Sequence, residues 1–169
     1  MSKEQLIFGQ PKAGGSNRLI HHKHRQVAVL NGDTTGILAG GSTGGINWSE
    51  DGITDNRADY GRFADLSLPG SIWFREEGYY LVVVNFRLVF VAPVTTGDFK
   101  AQGANSLNTG TQLGWVADIQ VPMVGMTTAA INLPGGDWFG NEDYYFLQLS
   151  NNTDQDVTVY MRAFVSKEG

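Results

Sequence analysis

Apolar and polar side chains alternate most regularly in residues 79–90. Every second position from Tyr80 to Phe90 is apolar, while the opposite face carries Asn85 and Arg87. A period of two over this length predicts a long β-strand with one buried face.

Residues 157–165 repeat this alternation near the C-terminus. One face carries Val157, Val159, Met161, Ala163 and Val165, and the other carries Thr158, Tyr160, Arg162 and Phe164. The second face is too aromatic for an ordinary solvated surface, so we expect it to be covered.

Turn-forming residues recur between these two segments and before them, at the spacing of short strands and loops. They are Pro69-Gly70, Gly78, Pro93, Gly97, Gly103, Gly110, Pro122, Pro134-Gly135-Gly136 and Asn151-Asn152. Residues 127–133 come nearest to a helical stripe, but their Thr-Thr pair and the following Pro134 favour a strand. The pattern predicts an all-β protein, an antiparallel sandwich or barrel.

The N-terminal residues 1–24 lack apolar periodicity and contain Pro11 and Gly14-Gly15. We expect an extended arm that is ordered only by contact with something else. Residues 25–30 are the first strand candidate, and six glycines between residues 32 and 45 exclude a helix or long strand after it. The chain therefore divides into an arm, 1–24, and a head, 25–169, of a size that suits one domain.

Composition agrees with a turn-rich β head and removes several chemistries. Glycine accounts for 22 residues, and charged residues make up 17%, where about 25% is usual. The absence of cysteine excludes disulfides, thiolate metal sites and cysteine nucleophiles. The apolar run Leu6-Ile7-Phe8 is too short for a secretory signal, and residues 79–92 are too interrupted to span a bilayer, so we expect a soluble protein made in the cytosol.

Charge is distributed unevenly along the chain. Residues 1–25 contain five basic residues against Glu4 alone, a formal charge of +4, together with all three histidines. The remaining residues contain seven basic and sixteen acidic side chains, a formal charge of −9. A basic arm on an acidic head suggests that the two parts meet different partners.

Catalytic motifs are missing or incomplete. Gly40-Gly41-Ser42-Thr43-Gly44 matches the serine-hydrolase motif, but no histidine follows residue 24 to complete a triad. Glu76 and Glu77 lie in a predicted turn, where adjacent side chains point apart and cannot flank one bond. We therefore expect no enzymatic activity and no cofactor.

Two groups of residues raise the question of a metal. Asp51, Asp55, Asn56 and Asp59 can supply oxygen ligands to calcium or form a solvated acidic loop, and the missing EF-hand spacing favours the loop. His21, His22 and His24 can gather a transition metal across subunits or form a basic patch, and the lack of further fixed ligands favours the patch. We predict no metal site.

Three motifs of the head resemble the jelly-roll domains of the complement globular-head and tumour-necrosis-factor-like superfamily. Gly61-Arg62-Phe63 is similar to that family's Gly-basic-Phe strand start, and Leu133-Pro134-Gly135-Gly136-Asp137-Trp138-Phe139 to its Leu-x-x-Gly-Asp-x-apolar turn. Residues 72–81 resemble its signature of an apolar strand, an acidic turn and Gly-x-Tyr opening a long strand. The resemblance covers about residues 25–166, although the C-terminal run 160–164 departs from the family's Phe-x-Gly-Phe pattern.

The resemblance implies a compact homotrimer with aromatic residues packed around a three-fold axis. Tyr145, Tyr160 and Phe164 are the candidates for that interface, and the alternative is a second layer of the monomer's own core.

We therefore expect a non-enzymatic structural protein of a virion, a phage-type trimeric head decoration (cement) protein that stabilises a capsid. Its partners would be further copies of itself and the major capsid protein or another shell protein, on the capsid surface after assembly in the host cytoplasm. The docking residues would be Lys12, Arg18, His21, His22, Lys23, His24 and Arg25.

Neither nucleic acid nor a membrane is an expected partner, since the arm lacks interleaved aromatic residues and the acidic head would repel phosphate. The alternative function is a receptor- or glycan-binding jelly-roll head of a viral fibre or bacterial surface protein. Such a head would bind through exposed aromatic residues such as Trp48, Trp115 or Trp138.

Overall fold

The computed structural model describes residues 26–32, 37–46, 48–49, 64–65, 71–107 and 111–168. Within these ranges the chain forms strands and turns and no helix, and therefore no helix that could cross a membrane. The strands are β1 (Gln26–Gly32), β2 (Ser42–Gly44), β3 (Trp48–Ser49), β4 (Ala64–Asp65), β5 (Ser71–Phe74), β6 (Gly78–Phe90), β7 (Asp98–Leu107), β8 (Gln112–Pro122), β9 (Thr128–Phe139), β10 (Asp143–Asn151) and β11 (Val157–Glu168). The predicted all-β class is confirmed.

The strands form two sheets. Sheet I has the order β3-β1-β11-β6-β9, and sheet II has the order β4-β5-β10-β7-β8, with the short β2 pairing beside β5 on the same edge of β10. Neighbouring strands are antiparallel throughout. The architecture is that of an antiparallel jelly-roll sandwich, as the sequence predicts.

The core lies between the two sheets and follows the alternation of the sequence. The inward side chains of β6, from Tyr80 to Phe90, and of β11, from Val157 to Val165, are all buried. They meet Phe74, Phe99, Phe139 and Leu147 of the other strands. Strands β6 and β11 pair over their whole lengths, so the two most regular segments of the sequence lie side by side in sheet I.

Pro134-Gly135-Gly136 is not the turn that the sequence predicts, because it lies inside β9 and pairs with residues 81–83 of β6. Proline is tolerated there since β9 is an edge strand of sheet I. Gly135 permits a close approach to sheet II, because a Cβ at this position would lie 2.9 Å from the Cβ of Ala117. Strand β9 of sheet I and strand β8 of sheet II therefore lie close together at this edge of the sandwich.

Gly103 is a second predicted turn residue that lies within a strand, β7. A Cβ on Gly103 would overlap the phenol ring of Tyr145, with 2.5 Å to its Cζ atom. The missing side chain makes room for an aromatic ring in the core.

Asn151 joins three loops at one end of the sandwich. Its fully buried side chain donates from Nδ2 to the carbonyl oxygens of Leu38 at 3.0 Å and Gln155 at 2.8 Å. Its Oδ1 accepts from the hydroxyl of Thr153 at 2.7 Å. Asn151, which the sequence pattern places in a turn, therefore also pairs with backbone carbonyl groups in the interior. Leaving such groups unpaired would cost free energy of folding.

Asp154 fixes the neighbouring loop. Its carboxylate accepts hydrogen bonds from the Thr95 hydroxyl at 2.7 Å, the Gln155 amide at 3.0 Å and the Thr95 backbone N–H at 2.9 Å. These bonds, led by that of the Thr95 hydroxyl, hold the pKa of Asp154 far below its usual range.

Candidate functional site

The sequence-predicted site residues fall into two groups in the structure. Those of the arm, from Lys12 to Arg25, and the calcium candidates from Asp51 to Asp59 lie outside the described residues. Tyr145, Tyr160 and Phe164 lie within them, on β10 and β11. The site is therefore built from these two strands and their neighbours.

Tyr145 belongs to the core of the single chain and not to its surface. It is 0% exposed, and its ring packs 6.5 Å from that of Phe139, centroid to centroid. Burial raises the pKa of its phenol well above the usual value. A side chain without surface cannot contact a second copy, so the interface prediction is wrong for Tyr145, and the alternative of a layer in the monomer's own core applies to it.

Tyr160 and Phe164 lie on the outer face of β11, as the alternation predicts. They are 40% and 41% exposed, respectively. Arg87 of β6 lies beside Tyr160, with its Cζ atom 4.2 Å from the centre of the ring, a distance typical of a cation–π contact.

The neighbouring strands extend this surface with further apolar side chains. Tyr79, Leu81 and Val83 lie on the outer face of β6, and Trp138, 58% exposed, lies at the end of β9. The strand register places Phe164 next to Val83, and Tyr79 next to Trp138. We refer to Tyr79, Leu81, Val83, Trp138, Tyr160 and Phe164 as the aromatic face of sheet I.

Gly136 gives the aromatic face its shape. It lies opposite Leu81 in β9, and a Cβ here would lie 2.8 Å from both the Tyr79 hydroxyl oxygen and the Leu81 Cδ2 atom. The two side chains therefore lie across β9, where the glycine leaves room for them.

A polar band crosses the same sheet between Phe164 and Tyr160. Arg162 of β11, Asn85 of β6 and Asn132 of β9 lie next to one another in register. The Asn132 side-chain amide donates a hydrogen bond to the Asn85 oxygen at 2.6 Å. The outer face of sheet I is thus apolar on one side of this band, with the stacked Arg87 and Tyr160 on the other.

Half of the aromatic face was not predicted from the sequence. Only Asn85 and Arg87 were assigned to the outer face of β6, although the same alternation places Tyr79, Leu81 and Val83 there. Trp138 was expected to be exposed, but its position next to Tyr79 was not predicted. That position depends on the pairing of β6 with β9, and the interpretation of residues 134–136 as a turn left no such pairing.

A second aromatic group lies on the outer face of sheet II. Trp115 is 51% exposed, and register places it in one row with Ala104 and Phe146. The rings of Trp73 and Tyr144 stack in the next row, with their centroids 6.2 Å apart. Of the tryptophans expected to be exposed, Trp115 and Trp138 are confirmed, whereas Trp48 is buried.

The residues with possible chemistry serve structural contacts in the described part of the chain. Ser42 lies on the short strand β2 and donates to the Ala39 carbonyl at 2.6 Å. Glu76 accepts a hydrogen bond from Lys167 Nζ at 2.9 Å in an ion pair. Within the described ranges, no three histidine or acidic side chains are grouped as metal ligands.

The fold is similar to that of murine APRIL. Crystal structures of murine APRIL at pH 5.0, pH 8.0 and pH 8.5 align with TM-scores of 0.59, 0.57 and 0.51 and sequence identities of 12%, 12% and 11%. Each alignment covers 82% of this chain and 98% of the APRIL chain. No family model and no curated protein matches the sequence. The likeness establishes a tumour-necrosis-factor-like jelly-roll fold.

Proposed function

We propose that this chain is a non-enzymatic structural protein of a virion, a homotrimeric head decoration (cement) protein that stabilises a viral capsid. The aromatic face of sheet I forms the contacts between copies, and the N-terminal arm docks on the shell. The observation that carries the proposal is the exposure of five large apolar side chains on the outer face of sheet I, namely Tyr79, Leu81, Trp138, Tyr160 and Phe164.

The aromatic face is suited to burial against protein. Large contiguous apolar patches on a soluble domain mark interaction surfaces, because leaving them in water is unfavourable. Aromatic side chains contribute most of the affinity at such surfaces because they bury much area with few rotatable bonds.

Charge favours a cyclic arrangement of copies over a two-fold one. A two-fold contact brings the same surface, with Arg87 and Arg162, against itself. A cyclic contact brings it against a different surface of the next copy, where the head of formal charge −9 offers carboxylates. The resemblance to trimeric jelly-roll heads then selects three copies.

The arm supplies the second contact of the proposal. Strand β1 begins at Gln26, which pairs with Lys167 near the end of β11, so the arm leaves the head at one end of the sandwich. Twenty-four extended residues span at most about 80 Å, enough to cross to a neighbouring shell subunit. With a charge of +4 over residues 1–25, the arm suits an acidic protein surface, whereas the head, of formal charge −9, would repel the phosphates of nucleic acid or of a membrane.

The test compares the full-length chain with a variant in which Lys12, Arg18, Lys23 and Arg25 are all changed to Gln. We expect the wild-type chain to be present in purified particles in a multiple of three copies per lattice site, as measured by quantitative mass spectrometry. The variant should bind shells at least tenfold more weakly, and wild-type binding should weaken with salt because charges are screened over about 8 Å at physiological ionic strength. Equal binding of both chains would contradict docking through the arm.

The second aromatic group supports a different candidate function, a receptor- or glycan-binding head. Trp115 and Phe146 lie on the outer face of sheet II and offer exposed aromatic rings to a receptor or glycan. The same experiment separates the two functions. The receptor- or glycan-binding function is favoured if the chain is absent from particles and the variant with the neutralised arm still binds cells or glycans. That binding should then be lost on Trp115→Ala.

A further inference from the structure

The polar band is out of place on a surface that is otherwise suited to burial. Asn85 lies on β6 and Asn132 on the edge strand β9, with Phe164 and Val83 in the preceding row and Arg87 and Tyr160 in the following one. Apolar or β-branched residues at these positions would continue the aromatic face and would raise its affinity for any apolar partner.

The hydrogen bond between the two amides uses only part of their capacity. The 2.6 Å bond engages one donor of Asn132 and one acceptor site of Asn85. Each amide has two donors and one oxygen with two acceptor sites, so both keep groups that this bond does not use. Water can reach these groups in the single chain, but burial between copies leaves them dependent on partners from the next copy.

We infer that the Asn85–Asn132 pair determines the stoichiometry of the assembly by admitting only the arrangement of copies that satisfies both amides. The inference rests on the proposed self-association through the aromatic face, and the partner is a second copy of this chain. An apolar face alone tolerates several packing arrangements, since hydrophobic contact is not directional. A buried amide does not, because an unpaired donor or acceptor costs about 1–3 kcal/mol.

The same device is known from coiled coils, where one buried Asn selects register and number of strands at a cost in stability. Here the cost is reduced because the two amides already satisfy each other in part. The pair therefore acts against wrong assemblies more than it strengthens the right one.

The test uses the full-length variant Asn85→Val/Asn132→Val, with Thr128→Val/Thr158→Val as the control. The control pair lies on β9 and β11, on either side of Val89, and likewise replaces two polar side chains of the outer face with valine. Native mass spectrometry and sedimentation velocity measure the assembly sizes, and circular dichroism with urea unfolding checks that each variant is folded.

We expect the wild type and the control to give one assembly, and the Asn variant to give a mixture. The ratio of trimer to all other assemblies should fall about tenfold, as expected when one buried hydrogen-bonding preference is removed. A folded Asn variant that remains a single trimer, or one that dissociates to monomers, would overturn the inference and leave the proposed trimer standing. A monomeric wild type would overturn the proposed self-association itself, and this inference with it.

If the double variant does not fold, the single variants Asn85→Val and Asn132→Val are measured in the same way. Each breaks the bond between the amides, so each should also give a mixture of assemblies. A single trimer in both would contradict the inference.

Discussion

Tyr145 brings a hydroxyl group into the interior of the sandwich without a hydrogen-bond partner among the described residues. Tyr80 is equally buried, but its hydroxyl donates to the Glu76 carbonyl at 2.7 Å. Two tyrosines of the same core therefore differ in whether the polar group that they bury is satisfied, and this difference can be measured.

We expect Tyr145→Phe to raise the free energy of unfolding by about 1 kcal/mol, because it removes an unsatisfied buried hydroxyl. Tyr80→Phe, the matched control, should lower it by about 1 kcal/mol because it frees a carbonyl acceptor. Urea unfolding of the two variants beside the wild type measures both changes. A loss of stability on Tyr145→Phe as large as that on Tyr80→Phe would show that the Tyr145 hydroxyl has a partner after all.

The inward position of Tyr145 follows from the residues after it in the sequence. Tyr144, Tyr145 and Phe146 are consecutive aromatic residues, but Leu147 and Leu149 alternate with Gln148 and Ser150 and so place Tyr145 on the apolar face. The structure settles this by pairing β10 with β7, where Gly103 leaves room for the Tyr145 ring. Tyr160 and Phe164 were predictable because they alternate with the apolar residues Val159, Met161, Ala163 and Val165 of the other face of β11.

Among the strands, β9 departs most from its sequence pattern. Proline followed by two glycines is a strong turn signal, yet all three residues pair with β6. The reasons are tertiary: β9 is the outermost strand of sheet I among the described residues, which leaves a place for Pro134, and close neighbours leave no room for side chains at residues 135 and 136. By contrast, β6 and β11 were predictable because one face of each is continuously apolar.

Gly136→Ala should weaken self-association about tenfold, since an added Cβ displaces Tyr79 and Leu81 from their positions across β9. Gly114→Ala on β8 is the matched control, because a Cβ there meets nothing within 4 Å. Sedimentation equilibrium of both variants gives the concentration at which the assembly dissociates. Equal dissociation of the two variants would contradict the role of Gly136 in shaping the interface.

The contribution of Asp154 to the stability of the fold should depend on pH. The pKa of Asp154 lies below that of an unfolded aspartate, about 3.9, so its carboxylate stabilises the fold at pH values above that. This contribution is lost progressively as the pH falls from the unfolded pKa towards the lower, folded value. Asp154→Asn should therefore lower the urea midpoint at pH 7, and the difference from wild type should shrink in strong acid. A difference that is unchanged at pH 2 would contradict the account.

On the scale of the whole molecule, the fold could be predicted further than the function. Period two, turn spacing and three degenerate motifs were enough for the jelly-roll class, because a sandwich repeats the same signal in every strand. The aromatic face could be predicted only in part, because it combines residues from three strands that are distant in sequence and adjacent only through the register of sheet I. The predicted arm lies outside the described residues, and its role remains a proposal based on charge.

The most direct test of the account is the mass of the full-length chain in solution. Light scattering during size-exclusion chromatography should give one species at three times the chain mass of 18.4 kDa. Phe164→Glu should give a folded monomer, because it places a charge in the aromatic face. Val91→Glu, at an exposed loop position away from that face, should remain trimeric. A wild-type chain that is monomeric at micromolar concentration, or a Phe164→Glu variant with the mass of the wild type, would contradict assembly through this surface.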